Sequence, residues 1–490
     1  MRPDVDCLFD LLPFDLAESS AKLQRMRRPP SFTFVDLFAG VGGFHAALSA
    51  MGGDCVYAVE KDPQAAAVYE RNWGMSALGD IVQDTEGIMN VPEHDVLVAG
   101  FPCQPFSKSG FQRGMEEARG TLFWNICEIL RVRRPAVVML ENVRNIAGPR
   151  HQHEWDVIIR SLRELGYQVS SEPVVFSPHL LPPERGGRPQ VRERVFILGV
   201  HVGAGDAVVA PGPAVEHAPV AGWSPLNWVL SRDLPLDAQL DARTELSLRL
   251  SNAENSWLDA WDEFVQVLRA DGATKLPGFP VWVDAFVKET ELRIPRDTPA
   301  WKATFLRKNA ALYTAHEEAI EDWLSRWNYL RDFPPSRRKF EWQAQSAATL
   351  DETILHLRPS GLRVKRATYV PALVAITQTT ILGDQRRRLS IREAARLQGL
   401  PEWFDFGQQS EAASYKQMGN GVNVGAAYHV FRQFVLLNNS RVRLEAPGLA
   451  AAALDAPLTP DDAVERYWDS NRVPIARNGI SEQGEPDIAV

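Results

Sequence analysis

Residues 32–48 read FTFVDLFAGVGGFHAAL, and this stretch predicts the start of an α/β fold. An apolar run with β-strand character ends at Phe38, glycines follow at Gly40, Gly42 and Gly43, and a helical segment begins at once. Glycines at such a turn let the backbone bend sharply and approach a ligand at a helix N-terminus. Taken alone, the turn is equally typical of a site where glycines only allow close packing. If the turn does bind a ligand, a nicotinamide cofactor is an alternative.

Four further apolar runs repeat the strand signal up to about residue 200, and segments with helical periodicity lie between them. This alternation predicts an α/β, Rossmann-like, mainly parallel sheet with helices on both faces. The expected strands are FTFVDLF at 32–38, CVYAVE at 55–60, HDVLVAG at 94–100, PAVVMLE at 135–141 and VRERVFILGV at 191–200, and the expected helices are Gly43–Met51, Pro63–Trp73, Thr121–Val132 and Glu154–Leu165.

The composition of the sequence changes after residue 200, and the alternation of strands and helices ends there. The 490 residues, 45% of them hydrophobic, allow about three domains with sizeable cores. Nine of the fourteen tryptophans fall between Trp223 and Trp342, and we interpret the acidic segment 223–330 as a helical core insertion rather than a stacking surface. The expected division is an N-terminal extension at 1–30, a main domain at 31–200, a separate mixed α+β module at 201–385, a C-terminal return that completes the main domain at 386–445 and a loosely ordered tail at 446–490.

The charge is unevenly distributed along the chain. A net charge of -9 argues superficially against nucleic acid. Residues 201–330, however, hold 19 acidic and 12 basic side chains, whereas residues 331–400 hold 13 basic and 6 acidic ones. A local basic stripe is what phosphate binding requires, although a solvated surface is the ordinary explanation of such a cluster.

Cysteine usage and hydropathy indicate a protein of the reducing cytoplasm. The four cysteines, Cys7, Cys55, Cys103 and Cys127, are too few and too scattered for a disulfide framework or a zinc site, so no metal is expected. No apolar run approaches the 18 or so residues that a membrane span needs, and acidic residues near the N-terminus argue against a signal peptide.

Polar or reactive side chains stand where several predicted strands end. Glu60 is placed to bind ribose hydroxyls, and Asp80 and Ile81 offer an acceptor and an apolar wall for an adenine ring. Cys103, between two prolines, is in a good position for a rigidly aimed thiolate, and Glu141 ends a buried strand at the same crevice. The alternatives are an inert, buried thiol for Cys103 and a helix cap or a surface ion pair for Glu141.

A further strand opens with QVRER at 190–194. Alternation puts Gln190, Arg192 and Arg194 on one face, and two arginines on one face need anionic or carbonyl partners. Ordinary surface charge is the alternative.

In this order, the strand-end motifs resemble the DNA cytosine-5 methyltransferase family over about 31–200 and 386–437, nearly half of the chain. The matching blocks are DLFAGVGG at 36–43, Glu60, GDI at 79–81, GFPCQPFS at 100–107, RGTLF at 119–123, ENV at 141–143, QVRER at 190–194, RRLSIREAARLQGLP at 387–401 and YKQMGNGVNV at 415–424.

The resemblance implies a mechanism and a cofactor. In the family, the cysteine matching Cys103 adds to carbon 6 of cytosine, the carboxylate matching Glu141 contacts ring nitrogen 3 and the exocyclic amine, and the arginine matching Arg192 steadies both. The implied catalytic residues are Cys103, Glu141, Asn142, Gln190, Arg192 and Arg194. The implied methyl donor is S-adenosylmethionine, released as S-adenosylhomocysteine, and its implied binding residues are Phe38, Ala39, Gly40, Gly42, Gly43, Glu60, Lys61, Asp80, Ile81, Pro102, Leu122, Asn420, Gly421 and Val422. Lys61 departs from the pattern, because some members carry an aromatic residue there; its aliphatic stem could cover the adenine.

The implied substrate is duplex DNA, whose target cytosine must be flipped out of the helix. The family places its target-recognition domain where residues 201–385 lie, and the candidate DNA contacts are Arg358, Ser360, Arg363, Lys365 and Arg366. Bacterial members mostly serve restriction–modification or other phage-defence systems, so a separately encoded endonuclease or defence subunit is an expected partner. We expect a cytoplasmic monomer, because an asymmetric flip needs only one active site.

Three other readings remain open. A tRNA cytosine-5 methyltransferase of the same family is one, although the large variable module favours sequence-selective binding of duplex DNA. A non-catalytic DNA-binding relative is another, but such a protein would be expected to lack Cys103 or Glu141. A nicotinamide-dependent oxidoreductase would explain the glycine turn and Glu60, and would leave the cysteine and the arginine pair unused.

Overall fold

The computed structural model describes residues 31–102, 121–170, 172–207, 215–237, 240–345, 347–373 and 380–471. The predicted nucleophile Cys103, the extension 1–30 and the tail beyond residue 471 therefore lie outside the described residues. Within the described ranges, no helix is long and apolar enough to cross a membrane.

The main sheet has seven strands within the described part of the chain, in the order β2-β1-β3-β4-β8-β5, with β6 also paired to β8. Its strands are β1 (Phe32–Leu37), β2 (Gly53–Val59), β3 (Val96–Gly100), β4 (Val137–Val143), β5 (Tyr167–Val169), β6 (Val174–Phe176) and β8 (Arg194–His201), while β7 (Gln190–Val191) pairs elsewhere.

Only the first four strands of this sheet are parallel. Strand β8 runs antiparallel to its neighbours β4, β5 and β6, so the predicted mainly parallel sheet holds for one half alone. The reason is the connection: a parallel neighbour needs a crossover, usually a helix, and residues 177–193 between β6 and β8 contain only short 3-10 turns and the two residues of β7.

Helices cover both faces of the sheet, as predicted, because successive strand residues point to opposite sides. On β1, Phe34 packs into the apolar cluster on one face and Val35 into the cluster on the other. The first helices lie within two residues of the predicted bounds: α1 (Gly43–Ser49), α2 (Pro63–Trp73), α4 (Leu122–Arg133) and α5 (Gln152–Glu164), with the short α3 (Ile81–Thr85) before β3. The α/β fold class is thereby confirmed.

The second module is built on a different sheet, with strand order β15-β14-β11-β12-β10-β9. Its strands are β9 (Val281–Trp282), β10 (Lys339–Gln343), β11 (Thr353–Arg358), β12 (Gly361–Arg366), β14 (Ile381–Leu382) and β15 (Arg387–Arg388); β13 (Val370–Pro371) pairs with β7 instead. The helices of this part are α6 (Ala204–Ala207), α7 (Leu230–Asp233), α8 (Ala242–Leu248), α9 (Asn252–Ala270), α10 (Ala300–Ala315) and α11 (Glu317–Arg326).

Tryptophans form the centre of the second module. Trp261 stacks on Phe340 with ring centroids 4.7 Å apart, and Trp323 and Trp342 are buried in the same cluster. These rings join the helices to one face of the sheet, in agreement with a core role.

The C-terminal return packs on the main sheet through α12 (Ile391–Gln398), α13 (Glu411–Asn420), α14 (Val424–Leu437) and α15 (Asn439–Glu445). The chain then continues as α16 (Pro447–Asp455) and α17 (Asp461–Asn471). Leu449, Ala450 and Ala453 are fully buried in the main core. The predicted loose order of 446–490 is therefore wrong for 447–471, because alanine is the strongest helix former and its small side chain lets a helix pack closely.

Candidate active site

A cavity of about 510 Å³ opens at the carboxyl ends of the four parallel strands, where ligands of such sheets bind. The residues that line it come from both halves of the main domain and include Phe38, Ala39, Gly40, Glu60, Lys61, Asp80, Ile81, Pro102, Leu122, Glu141, Asn142, Arg194, Asn420, Gly421 and Val422. The sequence analysis had named all of these.

The glycine turn and Glu60 form one wall of the cavity. Gly40 has φ 56°, and its N–H donates to Glu60 Oε2 at 2.9 Å. The backbone N–H of Asp62 donates to Glu60 Oε1 at 2.7 Å. Two backbone donors therefore fix the carboxylate at the rim, and Phe38, also at φ 56°, adopts a left-handed conformation that is uncommon for a non-glycine residue.

Gly42 and Gly43 make the turn possible but do not line the cavity. A Cβ on Gly42 would lie 2.0 Å from Nε1 of Trp73, and a Cβ on Gly43 would lie 2.4 Å from the carbonyl oxygen of Val422. The two glycines thus allow close packing of α1 against α2 and against the C-terminal return.

Lys61 and Asp80 form an ion pair at the cavity mouth, with Lys61 Nζ 2.7 Å from Asp80 Oδ2. The lysine side chain is 80% exposed. The hydrogen bond from Lys61, aided by one from the backbone of Val82, holds the pKa of Asp80 below its ordinary value. Lys61 therefore stands beside the predicted adenine subsite and pairs with its acceptor.

Glu141 lines the cavity from β4, two residues before the strand ends. Its Oε1 is 3.0 Å from Nε of Arg194, and its side chain is 7% exposed. Burial raises the pKa of Glu141, although the positive charges of Arg194 and Arg192 oppose the shift. Glu141 therefore takes up a proton more readily than an exposed glutamate does.

Asn142 connects Glu141 to the segment that carries Cys103. Its Nδ2 donates to the carbonyl of Phe101 at 2.9 Å, and its Oδ1 accepts from the backbone N–H of Val143 at 2.8 Å. The first bond fixes the chain two residues before Cys103.

Arg192 occupies a different position from the one expected. It is 1% exposed and donates to the carbonyls of Leu373, Gly419 and Gly421 at 3.0, 2.8 and 2.6 Å. Arg194, rather than Arg192, makes the ion pair with Glu141. The alternation on which the expectation depended is broken, because β7 ends at Val191 and β8 begins at Arg194.

Gln190 is fully buried and lies outside the cavity lining, in the strand pair that β7 forms with β13. Sequence reasoning missed Lys416 and Gln417, which line the cavity from α13. They fall inside the quoted block at 415–424, and this block was the only available signal. Lys416 Nζ lies 3.4 Å from Asp62 Oδ2, on the side of the cavity where Glu60 is anchored.

The five candidate DNA contacts lie on the β11–β12 hairpin of the second sheet, and none of them lines the cavity. Arg363 is ion-paired with Glu341 at 2.8 Å, Ser360 lies in the turn, and Arg366 is exposed at the end of β12. In the described ranges, no group of three His, Cys, Asp or Glu residues could hold a metal ion.

Fold and cavity together define an α/β protein with a cavity at the carboxyl ends of its parallel strands. The family model of the C-5 cytosine-specific DNA methylases matches residues 32–435. The type II methyltransferase M.AluI of Cellulosimicrobium cellulans is 46% identical over 85% of this chain and 94% of its own. The type II methyltransferase M.HhaI of Haemophilus parahaemolyticus is 44% identical over 34% of this chain and 48% of its own. Among solved structures, the Dnmt2 methyltransferase of S. pombe aligns with a TM-score of 0.42 and 17% identity, covering 82% of this chain and 98% of that one.

The chain therefore belongs to the C-5 cytosine-specific DNA methylase family. It is a DNA (cytosine-5) methyltransferase, and the predicted family and enzyme class are confirmed.

Proposed function

We propose that this enzyme transfers a methyl group from S-adenosylmethionine to carbon 5 of a flipped-out cytosine in duplex DNA, through a covalent adduct with Cys103. The observation that carries the proposal is that one cavity is lined both by the backbone-anchored Glu60 and by the Glu141–Arg194 pair. A cavity with both sets of groups in its lining can hold a donor and a target base together.

The residues of the cavity fit the donor. Glu60 is a fixed acceptor of the kind that ribose hydroxyls need, and Gly40 leaves open space, because a Cβ there would have no neighbour within 4 Å. Asp80, beside the apolar Ile81, suits an adenine ring and its amino group. Phe38, Ala39, Lys61, Pro102, Leu122, Asn420, Gly421 and Val422 would complete the binding site. When bound, S-adenosylmethionine supplies a methyl group on a positively charged sulfonium sulfur.

Other residues of the same cavity fit the base. Cytosine carbon 5 is a weak nucleophile until a thiolate adds to carbon 6, and Cys103 is the proposed nucleophile. Glu141, whose pKa burial raises, would hold a proton toward ring nitrogen 3 and accept from the exocyclic amine. Arg194 would keep this carboxyl oriented. The Asn142 bond to Phe101 would fix the approach of the thiol, and Arg192 would hold the C-terminal return through its bonds to Gly419 and Gly421.

The second module would contact the duplex from which the base is flipped. A role in restriction–modification or another phage-defence system, with a separately encoded endonuclease or defence subunit, is supported by the type II names of the relatives. We further propose that the enzyme acts as a cytoplasmic monomer, with one cavity serving one flipped base.

The test is transfer of tritiated methyl groups from S-adenosylmethionine to unmethylated duplex DNA, beside a tRNA pool. We expect 5-methylcytosine in DNA, its loss in Cys103→Ser, and no loss in the matched variant Cys7→Ser. Bisulfite sequencing of the product would identify the target site. Label in tRNA alone would overturn the proposed substrate, and full activity of Cys103→Ser would overturn the proposed mechanism.

A further inference from the structure

Strands β10 and β12 of the second module's sheet have one apolar and one polar face. Strand alternation sends Phe340 and Trp342 of β10 and Leu362 and Val364 of β12 into the tryptophan core. The residues between them, Glu341 and Gln343 on β10 and Arg363 and Lys365 on β12, lie on the other face. The parallel register pairs Glu341 with Arg363 and Gln343 with Lys365, and the antiparallel register puts His356 of β11 opposite Arg363.

This polar face carries more positive than negative charge. Arg363 is neutralised by Glu341, but Arg358 and Lys365 have no ion-pair partner among the described residues. Burial, together with the charge of Arg363, lowers the pKa of both groups. Uncompensated cations that are partly withdrawn from water are costly. The presence of Arg358 and Lys365 on the same face therefore indicates that an anionic partner binds there. Under the proposed function, that partner is duplex DNA.

His356 is consistent with the same surface. It is 8% exposed, and its Nε2 lies 2.9 Å from Oγ1 of Thr380. Burial and the neighbouring cations, Arg358, Lys365 and Arg363, lower its pKa to about 3, so it adds no charge at neutral pH. The net positive potential of the face therefore comes from Arg358 and Lys365, because Arg363 is paired with Glu341.

Glu341 gives one of these cations a fixed direction. Its Oε2 accepts from Nε of Arg363 at 2.8 Å and lies 2.8 Å from Nη2. Two contacts on one oxygen hold one edge of the planar guanidinium, and no described residue accepts from Nη1. An arginine fixed in this way loses little conformational freedom when it meets a planar acceptor pair such as guanine O6 and N7.

We infer that Glu341 is a positioning residue for sequence recognition: it aims Arg363 at a base edge, while Arg358 and Lys365 bind phosphates. The inference rests on the proposed function, because it presumes that duplex DNA lies on this face. It separates a residue that determines specificity from residues that provide affinity.

The test compares Glu341→Gln, Glu341→Ala, Arg363→Ala and Lys365→Ala with the wild type. Bisulfite sequencing of a duplex library randomised around the methylated cytosine measures base preference, and titrations at several salt concentrations measure affinity. Lys302→Ala, an exposed lysine on α10, is the matched control.

We expect Arg363→Ala and Glu341→Ala to relax preference at the same base position by roughly 5- to 150-fold. Glu341→Gln, which keeps an acceptor, should relax it less. Lys365→Ala should weaken binding to all sequences alike and flatten the log–log salt dependence by about one. Lys302→Ala should change neither quantity.

Unchanged base preference in Glu341→Ala, with affinity lowered equally for every sequence, would overturn the inference. So would relaxation at different positions in the Glu341 and Arg363 variants. Cofactor binding and melting temperature, measured on each variant, identify loss of folding. If the wild type failed to methylate DNA, the proposed function itself would fail; if it methylated selectively and Glu341→Ala kept that selectivity, only this inference would.

Discussion

Replacement of Arg192 by methionine should loosen the wall of the cofactor cavity, although Arg192 itself does not line the cavity. The guanidinium donates to carbonyls of three residues: Leu373, which follows β13 of the second module, and Gly419 and Gly421, which flank Asn420 in the cavity wall. Methionine keeps much of the volume but donates no hydrogen bond. The wall formed by 419–421 would then lose its fixed position relative to the sheet.

The size of this effect follows from the contacts. A hydrogen bond to a charged group is worth about 1.5–3 kcal/mol, and removing one partner of a buried charged network typically costs about 3–5 kcal/mol. If the wall is destabilised by that free energy and must be re-formed on binding, affinity for S-adenosylmethionine should fall at least about 100-fold, since 1.4 kcal/mol corresponds to a factor of ten. Arg192→Lys keeps the charge but not the planar fork, so its loss should be smaller.

Calorimetric titration with S-adenosylmethionine measures the affinity, and hydrogen exchange over 415–424 measures the order of the wall. Arg243→Met, on the exposed α8, is the control and should match the wild type in both. Binding by Arg192→Met within threefold of the wild type, with unchanged exchange over 415–424, would refute the reasoning.

Three further changes test individual contacts. Gly43→Ala forces a Cβ to within 2.4 Å of the Val422 carbonyl; overpacking of this kind costs about 1–3 kcal/mol, and we expect cofactor affinity to fall about tenfold or more by calorimetry. Asn142→Ala frees the Phe101 carbonyl and should lower kcat of methyl transfer more than it raises KM for the cofactor. Burial raises the pKa of Asp36 well above its ordinary value, against a hydrogen bond from the His45 backbone, so the stability that its proton provides is present at low pH and is lost as pH rises through the raised pKa. Asp36→Asn should therefore gain stability relative to the wild type in urea unfolding as the pH rises above the ordinary aspartate pKa of about 4.

Each of these changes has a control on the chain. Gly278→Ala has open space around its Cβ and should bind cofactor normally, and the exposed Asp54→Asn should follow the wild type at every pH. Equal loss of cofactor affinity in Gly43→Ala and Gly278→Ala would contradict the close contact between Gly43 and Val422. A stability difference for Asp36→Asn that does not change with pH would contradict the raised pKa of Asp36. A normal kcat in Asn142→Ala would contradict the role of its bond to Phe101.

The helices of the main domain were predictable because their signals are local. Helix α2 begins and ends where the sequence analysis put it. The Asp62 side chain accepts from the N–H groups of Gln64 and Ala65, and Gly74 ends the helix with φ 70°. The antiparallel direction of β8 was not predictable, because direction depends on the path of the connection and not on the strand's own residues.

The residues of the candidate site were predictable where their position depends on local sequence, and not where it depends on distant residues. Residues at strand ends, such as Glu60 and Glu141, were found because the carboxyl ends of parallel strands meet at one edge. The packing role of Gly43 depends on Val422, hundreds of residues later in the chain. The separate positions of Arg192 and Arg194 depend on a break between two strands that regular alternation does not reveal.

The inserted module and the main sheet are built around separate hydrophobic cores. The tryptophan core uses only residues from 250 to 381 and shares none with the two cores of the main sheet. The cavity wall, by contrast, combines 38–194 with 416–422, and α14 of the return packs with α1 in one core. The inserted module has its own tryptophan core, but several contacts join it to the main domain. They include the hydrogen bond from Arg192 to Leu373, the pairing of β7 with β13 and the ion pair between Arg396 and Asp237. These contacts are where a change in recognition and a change in chemistry would become coupled.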